Sequence, residues 1–141
     1  GDLALTPIQV NLMTSVIAWG GKLCPPHLKE GRPQVCKDLN IESQNLELIK
    51  KGMEGACETG GTAFPFFGLN ASLPAGRQVA CKTGTAETDE LGSTHAWITL
   101  FAPADFPEIV LTVLVEKGGE GSYIAAPIAK EILESWQKLR Y

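Results

Sequence analysis

The spacing of hydrophobic residues changes along the chain, and the first spacing it shows is helical. Thr6 can cap a helix, Pro7 suits a first turn, and Gln9 is placed to reach back to the cap. Apolar side chains then recur three and four positions apart, at Ile8, Leu12, Met13, Val16 and Ile17. The pattern predicts a helix that ends at Trp19-Gly20-Gly21. It is apolar around much of its circumference, which predicts burial beneath a subdomain that precedes this chain.

Two further helices are predicted by apolar stripes of the same period. One is expected from about Ser43, acting as its cap, to Glu58, with a stripe formed by Leu46, Ile49, Met53 and Ala56. The other is expected from Ala125 to Leu139, near the end of the chain.

Between these helices the period falls to two, which is typical of strands. Strands are predicted at residues 78–85, 95–102 and 109–115. Trp97 and Phe101 share one face of the second strand and are expected in the core. The third strand is almost entirely aliphatic, which favours a central strand covered on both faces. Because the turns between the strands are short, the strands are expected to be antiparallel neighbours.

Glycine and proline mark the remaining segments as turns and loops. The stretch "LCPPHLKEGRPQVCKDL" predicts a hairpin-like excursion with Cys24 and Cys36 on its two arms. The stretch "TGGTAFPFFGLNASLPAGRQ" predicts a long loop. Its first part, residues 59–67, could border a cleft, although its three phenylalanines are individually expected in the core. The whole order predicts an α+β fold, an antiparallel sheet packed with helices.

Composition narrows the class of protein. The chain has 141 residues, 44% of them apolar and 20% charged, which suits one domain with a real core. A net charge of −4 without any basic run argues against nucleic acid. No apolar run reaches the roughly 20 residues of a membrane helix, and no signal peptide is visible. Since the sequence runs almost directly into a helix start, its amino terminus is expected to be a cut end.

The cysteines and histidines support no metal site. None of the four cysteines forms a C-x-x-C pair, so zinc ribbons and redox motifs are disfavoured. Two disulfides and four unpaired thiols both remain open, including the pairs Cys24–Cys36 and Cys57–Cys81. His27 and His95 are far apart and have no carboxylate at ligand spacing. No metal or cofactor is expected.

Lys82-Thr83-Gly84-Thr85, at the end of the first predicted strand, is the candidate site. Strand alternation turns Thr83 and Thr85 the same way, and two hydroxyls beside an ammonium can bind a carboxylate. Gly84 lets a ligand approach the backbone. On an edge strand, free N–H and C=O groups could pair with an extended peptide or face a developing oxyanion.

Several stretches resemble the carboxy-terminal part of penicillin-binding protein transpeptidase domains, of the class B kind. They are, in chain order, "GDLALTPIQVNLMTSVIAWGGKL", "GMEGACETGGTA", "CKTGTAE", "HAWITLFAPAD" and "GGEGSYIAAPIAKEIL". The resemblance covers nearly the whole chain and implies a partial penicillin-binding/β-lactamase-like fold. It also implies three parts: a helix of the active-site half (1–21), a hairpin, helix and loop (22–76), and the K-T-G strand, sheet and last helix (77–141).

The resemblance also implies a chemistry. In that family a serine attacks the D-Ala–D-Ala bond of a peptidoglycan stem peptide, or a β-lactam ring, and forms an acyl-enzyme. Lys82 would bias the second serine motif and the ligand, and Thr83 and Thr85 would hold the terminal carboxylate. The backbone N–H of Thr85 would be one oxyanion donor, and Gly84 would admit the substrate. The parent protein would be extracytoplasmic and anchored in the cell membrane.

The family's serine nucleophile and its second motif precede the segment at which this chain starts. Two formal matches within the chain are rejected. Ser135-x-x-Lys138 lies in the last helix and follows the strand motif, and Ser43-Gln44-Asn45 is interpreted as a helix cap. The chain is therefore expected to carry one wall of an active site, to depend on an amino-terminal part of the same protein, and to be inactive alone.

The sequence leaves two alternatives open. A serine β-lactamase or β-lactam sensor domain would share the K-T-G strand and differ in its deacylation rate. A non-catalytic module that binds peptide or carboxylate ligands would use the same edge strand without forming a covalent bond.

Overall fold

The computed structural model describes residues 3–29, 31 and 35–140. Its elements, in chain order, are α1 (Pro7–Ala18), β1 (Lys22–Leu23), β2 (Lys37–Asp38), α2 (Ser43–Cys57), a 3₁₀ turn (Phe64–Phe66), α3 (Phe67–Ser72), β3 (Ala80–Glu87), β4 (Thr94–Ala102), β5 (Ile109–Val115) and α4 (Ala125–Arg140). The predicted α+β fold is confirmed. Parts of the expected hairpin excursion, residues 30 and 32–34, lie outside the described residues.

The main sheet is antiparallel with the order β3-β4-β5. The aliphatic strand β5 was expected at the centre, and that expectation is wrong for the described sheet: β4 is central and β5 is an edge strand. Helices α1 and α4 contact β5 as well as β4, so β5 is covered on both faces. The run of aliphatic residues reflects this coverage. An edge strand covered on both faces and a central strand have the same aliphatic pattern, so the sequence does not distinguish them.

Two clusters of buried side chains fill the two sides of the sheet. The larger one lies under α4 and includes Ile98, Leu100 and Leu133, all almost fully buried. The smaller one lies on the α1 side, where Phe101 and Met53 are joined by Ile17 of α1. The expected alternation of faces along β4 is therefore confirmed, and it gives three layers: helix, sheet, helix.

Local signals mark both ends of α1 but not the start of α2. In α1, the backbone N–H of Thr6 donates to Gln9 Oε1 over 2.8 Å, as the predicted capping box requires. The helix then ends before Gly20, whose φ is +62°. Ser43 is the first residue of α2, and Glu42 occupies the cap position, so the prediction of a Ser43 cap is wrong.

The predicted long loop at residues 59–78 contains the 3₁₀ turn and α3. A buried amide holds α3 in place: Asn70 Nδ2 donates to the Val79 carbonyl over 3.0 Å, and Asn70 Oδ1 accepts the Val79 N–H over 2.9 Å. This two-way bond satisfies backbone groups just before β3. Because this bond joins residues nine apart through tertiary packing, the spacing of hydrophobic residues did not predict α3.

The aromatic residues divide between core and surface. Phe66 and Phe101 are fully buried, as predicted, and Trp97 and Phe67 are partly buried. Phe64 is 43% exposed, so its expected place in the core is wrong. Its ring instead contacts that of Tyr123.

Disulfides join all four cysteines. Cys24–Cys36 closes the hairpin whose short arms are β1 and β2, and Cys57–Cys81 joins the last residue of α2 to the second residue of β3. The choice that the sequence left open is thereby settled in favour of two disulfides. Such pairs persist in oxidising compartments. Of the helices in the described ranges, none combines the length and hydrophobicity needed to cross a bilayer.

Candidate active site

Strand β3 positions the four residues of the K-T-G-T segment on two faces. Opposite partners in β4 fix these faces: Thr83 pairs with Ile98, and Gly84 pairs with Trp97. Because Ile98 belongs to the cluster under α4, the hydroxyls of Thr83 and Thr85 lie on the α4 face. Lys82 and Gly84 lie on the α1 face.

Two residues of the segment direct their backbone N–H and C=O groups to the side of β3 that is not paired with β4. At the hairpin end, the Thr88 N–H donates to the Ser93 carbonyl over 3.2 Å. Antiparallel ladders bond every second residue, so Gly84 is bonded to β4 and its two neighbours are not. The N–H and C=O groups of Thr83 and Thr85 therefore point away from β4, where no further strand of the described sheet follows.

This edge is covered at one end and open at the other. Helix α2 contacts β3, and its last residue is bonded to Cys81, so Ala80 and Cys81 are fully buried. From the next residue onward the strand emerges: Lys82 and Thr85 are exposed, and Thr83 is half-buried. The open stretch coincides with the motif.

Lys82 reaches the same edge from the opposite face. Its Nζ donates to the Thr83 carbonyl over 2.5 Å, and that carbonyl is one of the outward-pointing groups. The exposed ammonium thus lies beside the unpaired backbone. A positive charge there favours an anionic ligand along the edge.

Two residues outside the motif contact its hydroxyls. Thr62 Oγ1 lies 2.8 Å from Thr83 Oγ1, and the Gly121 N–H donates a long bond, 3.4 Å, to Thr85 Oγ1. A Cβ on Gly121 would overlap the carbonyl oxygens of Gly84 and Trp97, so only glycine fits so closely over the sheet. Of residues 59–67, which were expected to border a cleft, Thr62 is the one whose side chain hydrogen-bonds to the motif among the described contacts. Gly121 was missed, and its only signal was its place in "GGEGS".

An aromatic pair stands next to these contacts. The rings of Phe64 and Tyr123 meet edge-on, with centroids 5.0 Å apart at 60°. Each residue is two positions beyond a residue that touches the motif, Phe64 after Thr62 and Tyr123 after Gly121. The pair therefore joins the two segments that flank the α4 face of the site.

The rejected serines and the histidines are elsewhere in the fold. Ser135 lines an apolar groove on α4 with Ile132 and Leu139, and Ser43 is exposed at the start of α2. His95 Nδ1 accepts the backbone N–H of Lys117 over 3.0 Å, which gives this ring a structural partner. His27 is exposed in the hairpin.

Charges near α2 belong to its packing. Burial lowers the pKa of Lys50, but its hydrogen bond to Asp105, 2.6 Å long, and the charge of that carboxylate outweigh the effect and leave the pKa raised. Burial raises the pKa of Glu54, and the opposing charge of Lys50 offsets this only in part. These groups tie α2 to the turn after β4.

The segment as a whole offers a defined chemistry. It combines an ammonium, two hydroxyls on one face and outward backbone groups on an edge strand. Such an arrangement can hold a carboxylate while an extended peptide pairs with the backbone. An outward N–H at Thr85 can also donate to an oxyanion.

Two curated proteins that are similar to this chain in sequence are both peptidoglycan D,D-transpeptidases. Peptidoglycan D,D-transpeptidase MrdA of Haemophilus influenzae is 31% identical over 165 residues, which cover 99% of this chain and 25% of that protein. Peptidoglycan D,D-transpeptidase PbpA of Mycobacterium tuberculosis is 44% identical over 145 residues, covering 95% of this chain and 30% of that protein. The chain thus spans between a quarter and a third of these relatives.

Solved structures agree with this comparison. Penicillin-binding protein A of M. tuberculosis, as an imipenem acyl-enzyme complex, superimposes with a TM-score of 0.75 at 29% identity, covering 97% of this chain and 32% of that one. Penicillin-binding protein PBP2 of Helicobacter pylori, in complex with MreC, gives 0.78 at 33% identity, covering 97% and 25%. The sequence model of the penicillin binding protein transpeptidase domain matches residues 1–134. The chain belongs to the penicillin-binding protein transpeptidase family.

Proposed function

We propose that this chain is the K-T-G wall of a peptidoglycan D,D-transpeptidase, a serine acyl-transfer enzyme that cross-links stem peptides. The observation that carries the proposal is the open edge of β3, where the outward backbone of Thr83 and Thr85 meets the Lys82 ammonium. The relatives named above are D,D-transpeptidases, which supports the same assignment. No cofactor enters the proposed reaction.

Each residue of the motif has a proposed role. Thr83 and Thr85 donate hydroxyl bonds to the carboxylate of the terminal D-Ala or of a β-lactam. Lys82 supplies positive charge to that ligand and to the neighbouring catalytic groups. The Thr85 N–H donates to the oxyanion of the tetrahedral intermediate, and Gly84 leaves room for the ligand against the strand.

The nucleophilic serine is proposed to come from a part of the protein that precedes this chain. Residues 1–21 would then be the helix shared with the active-site half, 22–76 the hairpin, helix and loop, and 77–141 the strand, sheet and last helix. An extracytoplasmic, membrane-anchored parent protein is proposed as well. The two disulfides support this location, because structural disulfides form in oxidising compartments.

The proposal is tested by intact-mass measurement after incubation with benzylpenicillin. The full-length protein is compared with the 141-residue chain and with a full-length Thr83→Val variant. We expect a persistent adduct on the full-length protein, none on the chain alone, and slower adduct formation in the variant, because it lacks one carboxylate donor.

Other results would assign another function. An adduct that hydrolyses rapidly would indicate a β-lactamase. Non-covalent binding of a D-Ala–D-Ala peptide without any adduct would indicate a binding module. An adduct on the 141-residue chain would place the nucleophile within it, at Ser135 or Ser43 in the first instance.

A further inference from the structure

We infer that Thr62 is a positioning residue for ligand recognition, because it orients the Thr83 hydroxyl towards the carboxylate of the ligand. The inference rests on the function proposed above. Its basis is the 2.8 Å contact between Thr62 Oγ1 and Thr83 Oγ1, which joins residues 21 apart in sequence. Thr62 lies outside the K-T-G-T motif.

The segment that carries Thr62 is held on both sides of this residue. Before it, Gly61 lies so close to the end of α2 that a Cβ would overlap the carbonyl oxygens of Gly55 and Ala56. After it, Ala63 is fully buried, and its N–H donates to the Ala56 carbonyl over 2.8 Å. Two adjacent anchors leave Thr62 little freedom to move.

The same end of α2 is covalently joined to the strand. Cys57, the residue after Ala56, is bonded to Cys81, which stands two positions before Thr83. The disulfide therefore fixes the distance between the donor segment and the motif. Thr62 lies above Thr83 because three contacts (the close approach of Gly61, the bond of Ala63 and the disulfide) set it there.

The hydroxyl pair has a defined consequence for recognition. In an unliganded hydroxyl pair either oxygen can donate. When a carboxylate binds Thr83, the Thr83 proton must point at the anion, so Thr62 becomes the donor to Thr83 Oγ1. A chain in which each hydroxyl donates to the next is cooperatively polarised, which strengthens the bond to the anion. Thr62 thus acts on the ligand through Thr83 without touching it.

The test measures second-order acylation rates of the full-length protein with two probes, benzylpenicillin and its methyl ester, which lacks the anionic carboxylate. Thr62→Val removes the hydroxyl at nearly constant volume, Thr62→Ala removes it without a bulky methyl near Thr83, and Thr62→Ser restores it. Thr59→Val, at an exposed position in the same segment, is the matched control.

We expect Thr62→Val and Thr62→Ala to slow acylation by benzylpenicillin about five- to ten-fold, as the loss of one hydrogen bond predicts. The rate with the methyl ester should change less than about two-fold, since the ester cannot accept a charge-assisted bond. Thr62→Ser should recover most of the rate, and Thr59→Val should match the unaltered protein. Urea unfolding midpoints show whether each variant is folded.

Three results would overturn the inference. If the Thr62 variants lost acylation rate equally with both probes, Thr62 would be a structural contact only. If their rates were unchanged with both probes, Thr62 would have no role in acylation. Failure of Thr62→Ser to recover the rate would exclude the hydroxyl as the cause. If the unaltered protein forms no adduct with either probe, the proposed function itself fails, a result distinct from the other three.

Discussion

At the scale of single residues, a chain of side-chain hydrogen bonds joins α1 to the sheet. Thr14 Oγ1 donates to the Val10 carbonyl, lies 2.7 Å from Thr99 Oγ1, and is 1% exposed. Thr99 in turn lies 2.8 Å from Thr112 Oγ1, which accepts from Asn11 Nδ2. Because the single Thr14 proton is donated to the Val10 carbonyl, the two short hydroxyl contacts are both bonds when Thr112 donates to Thr99 and Thr99 to Thr14. The Leu111 carbonyl, 3.4 Å from Thr99 Oγ1, is a longer alternative acceptor.

Thr99 is central to this network, and its replacement tests it. Thr99→Val keeps the volume but removes both the acceptor for Thr112 and the donor to Thr14. We expect the free energy of unfolding to fall by about 1–2 kcal/mol, because buried polar atoms lose their partners. Urea denaturation of the chain measures this change.

The exposed Thr59→Val serves as control and should stay within about 0.5 kcal/mol of the unaltered chain. An equal effect of the two substitutions would show that the network adds nothing to stability.

At the scale of elements, the two disulfides have different neighbours. Cys24–Cys36 closes a hairpin between residues 12 apart, while Cys57–Cys81 joins α2 to β3 across 24 residues. Because the entropy that a disulfide removes from the unfolded chain grows only with the logarithm of loop length, both bonds should contribute similarly to stability. Only the second one adjoins Lys82, so the two bonds form a natural pair for comparison.

We predict that Cys57→Ala/Cys81→Ala and Cys24→Ala/Cys36→Ala each lower the free energy of unfolding by roughly 3 kcal/mol. Only the first double variant should also slow acylation of the full-length protein by benzylpenicillin, because it frees the strand end beside the motif. Urea unfolding and acylation rates measure the two effects separately. Equal acylation in both double variants would contradict the prediction that this disulfide positions the site.

At the scale of the whole molecule, helix α1 exposes apolar side chains to solvent and buries polar ones. Its buried positions include Thr14 and Ser15, whereas Ile8 and Met13 are 52% and 53% exposed. Leu3, just before the helix, is 76% exposed. The sequence predicted an apolar surface here, and the structure confirms it. The covering subdomain stays a prediction.

This surface should make the 141-residue chain bind a hydrophobic dye such as ANS. We expect the dye fluorescence to fall in an Ile8→Glu/Met13→Lys variant, since both side chains lie in the exposed face and Glu suits a first helical turn. Leu91→Lys, at a fully exposed turn, is the control and should leave the fluorescence unchanged. Equal fluorescence in all three proteins would place the dye site elsewhere.

The sequence by itself determined the helices and strands that have strong periodicity and local end signals. Pro7 and Gly20 bound α1, and the strict alternation of β4 fixed which side chains share a face. The candidate site at Lys82–Thr85 was also visible in the sequence, because its residue types and spacing predict carboxylate binding, which stays a prediction. Local signals suffice wherever the partners that stabilise an element lie within a few residues.

Only the tertiary structure decided what depends on distant partners. It placed β5 at an edge, folded α3 onto Val79 through Asn70, and paired the four cysteines. It also brought Thr62 and Gly121 to the motif from 21 and 36 residues away. Such contacts form only when whole elements pack, so the two partners lie too far apart to fall within one short stretch of sequence. The periodicity of hydrophobic residues within one element therefore does not predict them.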